Sequence, residues 1–449
     1  MKIGEIYKLQ IVGTGVNGEG IAKWDKYVCF IPGALDGDTV LAKTVKIKKN
    51  IVFMRLDEVI TPSPYRIAPP CKYFGECGGC TLLNTTYSKQ ISIKRDKVYQ
   101  TIKRIGNIDV TPENVVECDK KYNYRNKALI PVAKSENGEI VAGFFKGKSH
   151  EVLDISDCMI QDKYAFEVVK IIKDWMKKFN IEPYFPGKTG VVRHIFFRRG
   201  VYTNEVMAGV VTSADELPYK NELVNMLKGL DNLKSVIHNI NKSHTSVLMG
   251  DKTEILYGNE FIEDIILDKR FRIGPLSFYQ VNPAQVQKLY GTAIELIEPG
   301  KDDVVFDIYC GVGTIGLCMA DKVKKVYGIE IVPEAIEYAK ENAKLNNINN
   351  AEFFVGKAEE KINNFINMEN KPNVVVLDPP RAGCDRHLLD AVNEMQPEKV
   401  CYVSFDVATL ARDLNILCNE YNYNVKKVVP VDMFAHSSHV ETIAFLVKE

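Results

Sequence analysis

The chain has 449 residues, 46% of them hydrophobic and 26% charged, and its 58 Lys and Arg balance its 58 Asp and Glu. Such a length suits about two to four domains of an ordinary globular protein, and a net charge of zero announces no nucleic-acid partner. No apolar run approaches the ~18 residues of a membrane span and no hydrophobic leader follows Met1, so a cytoplasmic location away from membranes is expected. Eleven cysteines in such a chain point to metal binding or reactivity and away from a disulfide framework.

Residues 1–62 read as a small β-barrel. Residues 7–12, 20–24, 27–31 and 39–47 are apolar or alternating runs cut by Gly and Asp, and barrels of this size often bind nucleic acid. Lys43, Lys46, Lys48 and Lys49 make its last strands basic, and Thr61-Pro62-Ser63-Pro64 and Pro69-Pro70 read as a linker. Cys71-x5-Cys77-Gly78-Gly79-Cys80 then gathers three thiols within ten residues. A closed tetrathiolate site needs a fourth, and spacing leaves Cys158 and Cys118 both open. Iron–sulfur is favoured over zinc, which more often uses two Cys-x-x-Cys pairs.

Residues 86–107 have helical periodicity, and residues 63–130 carry 12 Lys and Arg against 6 Asp and Glu. A local basic face can hold phosphates on a neutral protein. Lys120-Lys121-Tyr122-Asn123-Tyr124-Arg125-Asn126-Lys127 interleaves cations with rings, a pattern suited to single-stranded RNA. Residues 124–272 alternate strands with helices at 164–180 and 217–227, completing a central α+β domain over 63–272. There Arg193, Arg198 and Arg199 could extend the basic surface, and His194 reads as a structural residue.

From residue 273 to 449 the pattern becomes regular. Strands are expected at 304–308, 325–329, 351–355, 373–377, 399–403 and 423–431, with helices at 284–297, 333–346, 358–366, 388–394 and 408–418 and a last extended run at 439–447. Alternation of this length means a doubly wound, mostly parallel sheet, with ligands at the carboxyl ends of its strands. Gly311, Gly313 and Gly316 form G-x-G-x-x-G after the first strand, and Glu330 ends the second, where a carboxylate can accept both hydroxyls of a ribose. Nicotinamide, flavin and S-adenosylmethionine (SAM) proteins all build this turn. Asp378-Pro379-Pro380-Arg381 and Ser404-Phe405-Asp406 fall at the same sheet edge.

The chain resembles the RNA 5-methyluridine (uracil-5-)methyltransferases, in particular the iron–sulfur branch with an N-terminal TRAM barrel that acts on 23S ribosomal RNA. The pieces that carry the resemblance are Phe74-Gly75-x-Cys77-Gly78-Gly79-Cys80, Tyr124-Arg125-Asn126-Lys127, Asp157-Cys158-x-Ile160-Gln161, Arg193-His194 and Phe278-Tyr279-Gln280-Val281-Asn282. They continue with Asp307-x-Tyr309-Cys310-Gly311-x-Gly313-Thr314, Asp378-Pro379-Pro380-Arg381-x-Gly383, Ala411-Arg412-Asp413 and His439-Val440-Glu441-Thr442. It implies a class I SAM-dependent methyltransferase domain, RNA as partner and a monomer. It implies Cys158 as fourth ligand, with Cys71, Cys77 and Cys80, of a [4Fe–4S] cluster. Gln280, Tyr309, Gly311, Gly313, Thr314, Glu330 and Asp378 fall to SAM or the base beside it, and Glu441 to the general base. The helix before Asn107 would pack on the catalytic domain.

In that family a thiolate adds to C6 of uracil, which makes C5 nucleophilic enough to take the methyl group, and a carboxylate then removes the C5 proton. Here Ser404-Phe405-Asp406-Val407-Ala408-Thr409 stands where the family has Ser-Cys-Asn-Pro-Ala-Thr, so Phe405 occupies the nucleophile's position and can form no adduct. Phe434-Ala435-His436 likewise replaces Phe-Pro-His. Cys401 is about 13 Å back along its strand, which leaves Cys384 as the one plausible substitute. Three readings are open: a uracil-5 methyltransferase with an unusual nucleophile or one replaced by design, a non-catalytic relative that binds RNA and SAM, and a SAM enzyme of altered chemistry.

Overall fold

Strands Ile6–Thr14, Gly20–Trp24, Tyr27–Ile31, Thr39–Lys48 and Ile51–Thr61 close into a barrel in the order first, second, third, fifth, fourth. Alternation drives it: Leu9, Ile11, Ala22, Cys29, Ile31, Val40, Ala42, Val52 and Met54 point inward and form its core. The computed structural model describes residues 1–185, 190–245, 247–362, 365 and 371–449. The fifth strand, Ile51–Thr61, is absent from the sequence expectations because its outward positions run into the polar stretch taken as linker. Asp38 fastens the barrel to the adjoining segment 63–66, accepting from the backbone of Leu35 at 2.6 Å and Ser63 at 2.8 Å and from Arg66.

The middle of the chain builds a seven-stranded sheet from Lys127–Lys134, Ile140–Phe145, Val152–Asp154, Val192–Gly200, Glu205–Thr212, Leu233–Ile240 and Lys252–Gly258. Successive side chains on a strand face opposite ways. Phe197 packs under the helix Lys163–Lys178 with Ile172 and Trp175, whereas Phe196, Met207 and Ile237 enter the core of the C-terminal domain. The second helix starts at Lys220, later than 217, after Pro218 and a left-handed Tyr219.

The C-terminal sheet has the order Ala351–Val355, Lys325–Glu330, Val304–Ile308, Val374–Leu377, Lys399–Ser404, Glu441–Lys448, Tyr423–Val431. The first five strands are parallel, and Glu441–Lys448 runs antiparallel to both its neighbours, so Tyr423–Val431 points the same way as the first five. Helices Pro283–Ile297, Thr314–Met319, Pro333–Leu345, Arg386–Met395 and Val407–Asn419 accompany it. Of the expected helix at 358–366, Ala358–Lys361 is helical, and residues 363, 364 and 366 lie outside the described residues.

The helix Tyr87–Ile105 crosses onto the C-terminal domain. Val98 and Ile102 enter the core formed by Leu410, Ala411 and Leu414, and Asn415 donates to the Gly106 carbonyl at 2.8 Å. The same helix holds the loop 432–440 between the last two strands. Lys94 and Asp432, both wholly buried, form an ion pair. Tyr87 donates to Asp432 at 2.8 Å, Lys94 to the Phe434 carbonyl at 3.0 Å and Lys97 to the Ser438 carbonyl at 3.0 Å, while Gln90 accepts the His436 N–H at 2.9 Å.

Removing one member of a buried pair leaves an uncompensated charge, whereas removing both need not. Lys94→Met is expected to cost about 3–5 kcal/mol in urea unfolding, and Lys94→Met/Asp432→Leu to recover most of that. A double variant no more stable than the single would contradict the ion pair's role.

Candidate active site at the carboxyl edge of the C-terminal sheet

Val304–Ile308 is buried throughout and hands over to Tyr309, Gly311 and Gly313, all at positive φ. A Cβ on Gly311 would meet no atom within 4 Å, so its backbone faces open space, whereas one on Gly316 would lie 2.8 Å from Val326 and 2.9 Å from Asp307. The first glycine thus clears a ligand's approach and the last lets helix press on sheet. Glu330 stands across the turn and accepts the N–H groups of Gly311 at 3.2 Å and Val332 at 3.0 Å. A cavity of about 40 Å³ opens here, lined by Gln280, Tyr309, Gly311, Thr314 and Asp378. Tyr290, Asp307 and Cys310 line it too. Gly313 caps the helix that begins at Thr314. Next to it, beyond Glu330, Ile331 and Val332 are exposed apolar surface.

Asp378 and Glu441 face one another electrostatically at this edge. Burial pushes Asp378 up to about 7; burial and then the charge of Asp378 push Glu441 well above the usual carboxylate range. Asp307 is also raised to about 7 by burial, although Gly316 N–H donates to it at 2.8 Å. Phe405, at the same edge, is half-buried among three side chains. The Arg381 guanidinium sits 4.5 Å above the ring, His439 stacks at 5.0 Å and 29°, and Phe434 meets it edge-on at 5.2 Å.

The structure does not bring Cys384 to this site. It is 5% exposed, packed in the core beneath the helix Arg386–Met395, and its N–H donates to Asp413 at 2.8 Å. Its loop is at the right end of the sheet, but the side chain takes the face opposite Asp378 and burial drives its thiol pKa well up. Cys401 is wholly buried and Cys310, 5% exposed, lines the cavity beside the glycine turn.

Cys71, Cys77, Cys80 and Cys158 line a second cavity, of about 280 Å³, with Tyr124, Arg125, Phe434 and His439. The Cys71–Cys80 loop is pinned to the strand Ile140–Phe145 by Gly78 N–H donating to the Phe145 carbonyl at 3.2 Å. Burial, then the charges of Cys158, Cys77 and Cys71, push Cys80 up to about 12. Cys118 is elsewhere, its thiol donating to the Lys120 carbonyl at 3.0 Å. Among the described residues no three His, Cys, Asp or Glu side chains close on a point that could hold a single metal ion.

Residues 86–449 match the family described as tRNA (Uracil-5-)-methyltransferase, and residues 1–54 match the TRAM domain. The chain belongs to the RNA uracil-5-methyltransferase family. An uncharacterized RNA methyltransferase of Clostridium tetani is 44% identical over 99% of this chain and 97% of its own, and one of Halalkalibacterium halodurans is 42% identical over 98% and 97%. The crystal structure of Pyrococcus abyssi tRNA (uracil-54, C5)-methyltransferase in complex with S-adenosyl-L-homocysteine superposes with a TM-score of 0.80 at 28% identity. It covers 98% of this chain and 99% of that one.

In this methyltransferase two sequence readings change. Tyr124 is buried and donates to the Ala435 carbonyl at 3.1 Å, so its ring is not free to stack on a base, whereas Tyr122 stacks on His436 and stays exposed. Of the three arginines, Arg198 is buried, Arg199 pairs with Asp162 and Arg193 lies over Tyr184. The sequence offered no signal for Tyr290, for the Arg381–Phe405–His439 stack or for Lys94.

A carboxyl raised above its unfolded value of about 3.9 favours the folded state below that value and loses this contribution as pH climbs through the folded pKa. The ligand-free methyltransferase is therefore expected to lose stability between about pH 4 and 7. Asp378→Asn should flatten that slope by about one proton, read from urea midpoints across pH; an unchanged slope would place Asp378 in a solvated setting.

Proposed function

We propose that this chain is a SAM-dependent methyltransferase for C5 of uridine in RNA, with 23S ribosomal RNA as target and Phe405 standing where the nucleophilic cysteine belongs. The observation that carries it is the meeting of Gln280, Tyr309 and Asp378 on one cavity beside Glu330 and Glu441. The residues fit an adenosyl ligand: a strand-tip carboxylate for the ribose diol, a turn cleared by Gly311, and the Gln280 amide and the Asp378 and Glu441 carboxyls, whose side chains make no hydrogen bond among the described residues. Bound SAM supplies an electrophilic methyl group on a sulfonium. Glu330 would hold the ribose, Gln280 would bind SAM, Asp378 would bind the edge of an extruded pyrimidine, and Glu441 would take the C5 proton once ionised. A sulfonium nearby would favour the ionised forms of both raised carboxyls.

Phe405 leaves the C6 addition without a thiol, and this favours a second reading, a relative that binds RNA and SAM but turns over poorly. Cys384, buried on the opposite face, offers no replacement. Incubation with labelled SAM and 23S transcripts decides between the two. Phe405→Cys is expected to raise 5-methyluridine formation by about 10²-fold or more. Equal, substantial rates in both proteins would require a nucleophile other than the residue at 405.

We also assign Cys71, Cys77, Cys80 and Cys158 to a [4Fe–4S] cluster, supported by the four thiols lining one cavity of about 280 Å³. Residues 1–62 then form the RNA-binding barrel, 63–272 the cluster domain and 273–449 the methyltransferase domain. Anaerobically prepared protein should be brown, with absorbance near ~400 nm that Cys158→Ala abolishes; a colourless, iron-free preparation would defeat the assignment.

A further inference from the structure

Arg198 is 1% exposed, and no carboxylate pairs with it among the described residues. Its guanidinium donates instead to two backbone carbonyls, Gly274 and, at 2.7 Å, Ser277. Both belong to the segment 274–282, which has no regular structure, links the strand Lys269–Ile273 to the helix Pro283–Ile297, and carries Gln280 and Tyr279 into the cofactor cavity. The segment has few other ties: Gly274 N–H donates to the Ser277 hydroxyl at 3.2 Å, Asn126 N–H to the Val281 carbonyl at 2.9 Å, and Asn282 to the Met433 carbonyl at 3.0 Å. Arg198 thus bridges the two carbonyls at the ends of the turn Gly274–Ser277 that precedes Phe278, beside the one bond from Gly274 N–H to the Ser277 hydroxyl.

A planar fork can satisfy two carbonyls three residues apart, which a lysine ammonium, as a point charge on a flexible stem, cannot do with the same geometry. The arrangement costs free energy, since a guanidinium is buried with no counter-charge. Across the strand pair, Lys127 is its register partner, and burial and the nearby Arg198 draw the lysine pKa down to about 6. A methionine at 198 would fill similar volume without a buried charge, so stability alone does not call for arginine here.

We propose that Arg198 is a positioning residue for the reaction: its fork sets the turn Gly274–Ser277 and thereby aims Gln280 into the cavity. The proposal rests on the reading of Gln280 as a ligand of the cofactor or base. It is tested on the full chain by calorimetric binding of S-adenosyl-L-homocysteine, with thermal melting alongside. Arg198→Met is expected to weaken binding about tenfold with a melting temperature unchanged or raised, and Arg198→Lys to recover little. Gln280→Ala should weaken binding similarly, and the double variant no further than Gln280→Ala alone. Wild-type affinity in Arg198→Met, additive losses in the double variant, or a loss that follows a fall in melting temperature would each overturn the proposal while leaving Gln280 as a ligand. Undiminished binding by Gln280→Ala would remove the reading of the cavity, and the proposal with it.

Discussion

A buried ion pair, Lys94 with Asp432, governs the shape of the reactive edge. It lies between a helix near the start of the chain and a loop near its end. The loop 432–440 is largely buried and includes His436 at a φ of 69°, so its backbone groups need partners that its own short span cannot give. They come from Lys94, Gln90 and Lys97 on the helix Tyr87–Ile105, from Tyr124 and Asn282, and from Leu82, whose N–H donates to the His436 carbonyl at 3.0 Å. A buried pair of this kind is a poor source of stability and a good source of geometry. Here the geometry it sets is that of Phe434, His439 and Glu441.

That dependence makes the site a composite. The sheet contributes Asp378, Phe405 and Glu441; the segment 274–282 contributes Gln280; the cysteine-bearing stretch closes a cavity against Phe434, Ser437 and His439. His439 touches both places, lining the thiol cavity and stacking on Phe405. Burial and the surrounding cations Lys97, Arg381, Lys94 and Arg125 draw its pKa down to about 4, which keeps the imidazole neutral against the guanidinium-capped ring. Anything that rearranges the thiol cavity therefore reaches position 405 through one side chain.

The parallel sheet was legible because its strands are unbroken apolar runs ended by chemistry-bearing residues: Val304–Ile308 before the glycines, Val374–Leu377 before Asp378, Lys399–Ser404 before Phe405. Periodicity places side chains on an element but does not reveal which face the rest of the chain will cover. Arg198 and Tyr124 therefore read as surface RNA contacts although they are interior. Cys384 shares a loop with the site and faces away from it for the same reason. Lys94 was one of many lysines on an amphipathic helix, and its partner lies 338 residues further on, a separation no local pattern reports. Even within the barrel the strand Ile51–Thr61 is not legible, because Arg55, Asp57 and Glu58 interrupt its alternation and its end merges with a proline-rich stretch.

The central claim is that one socket at this edge pairs an adenosyl sulfur with a proton-accepting carboxylate. A crystal structure of the protein with S-adenosyl-L-homocysteine measures it directly. The expected complex has the ribose hydroxyls on Glu330, the adenine against Ile331, and the sulfur directed at the space between Asp378, Glu441 and Gln280. A ligand that leaves Glu330 unengaged, or whose sulfur points away from Glu441, would contradict it.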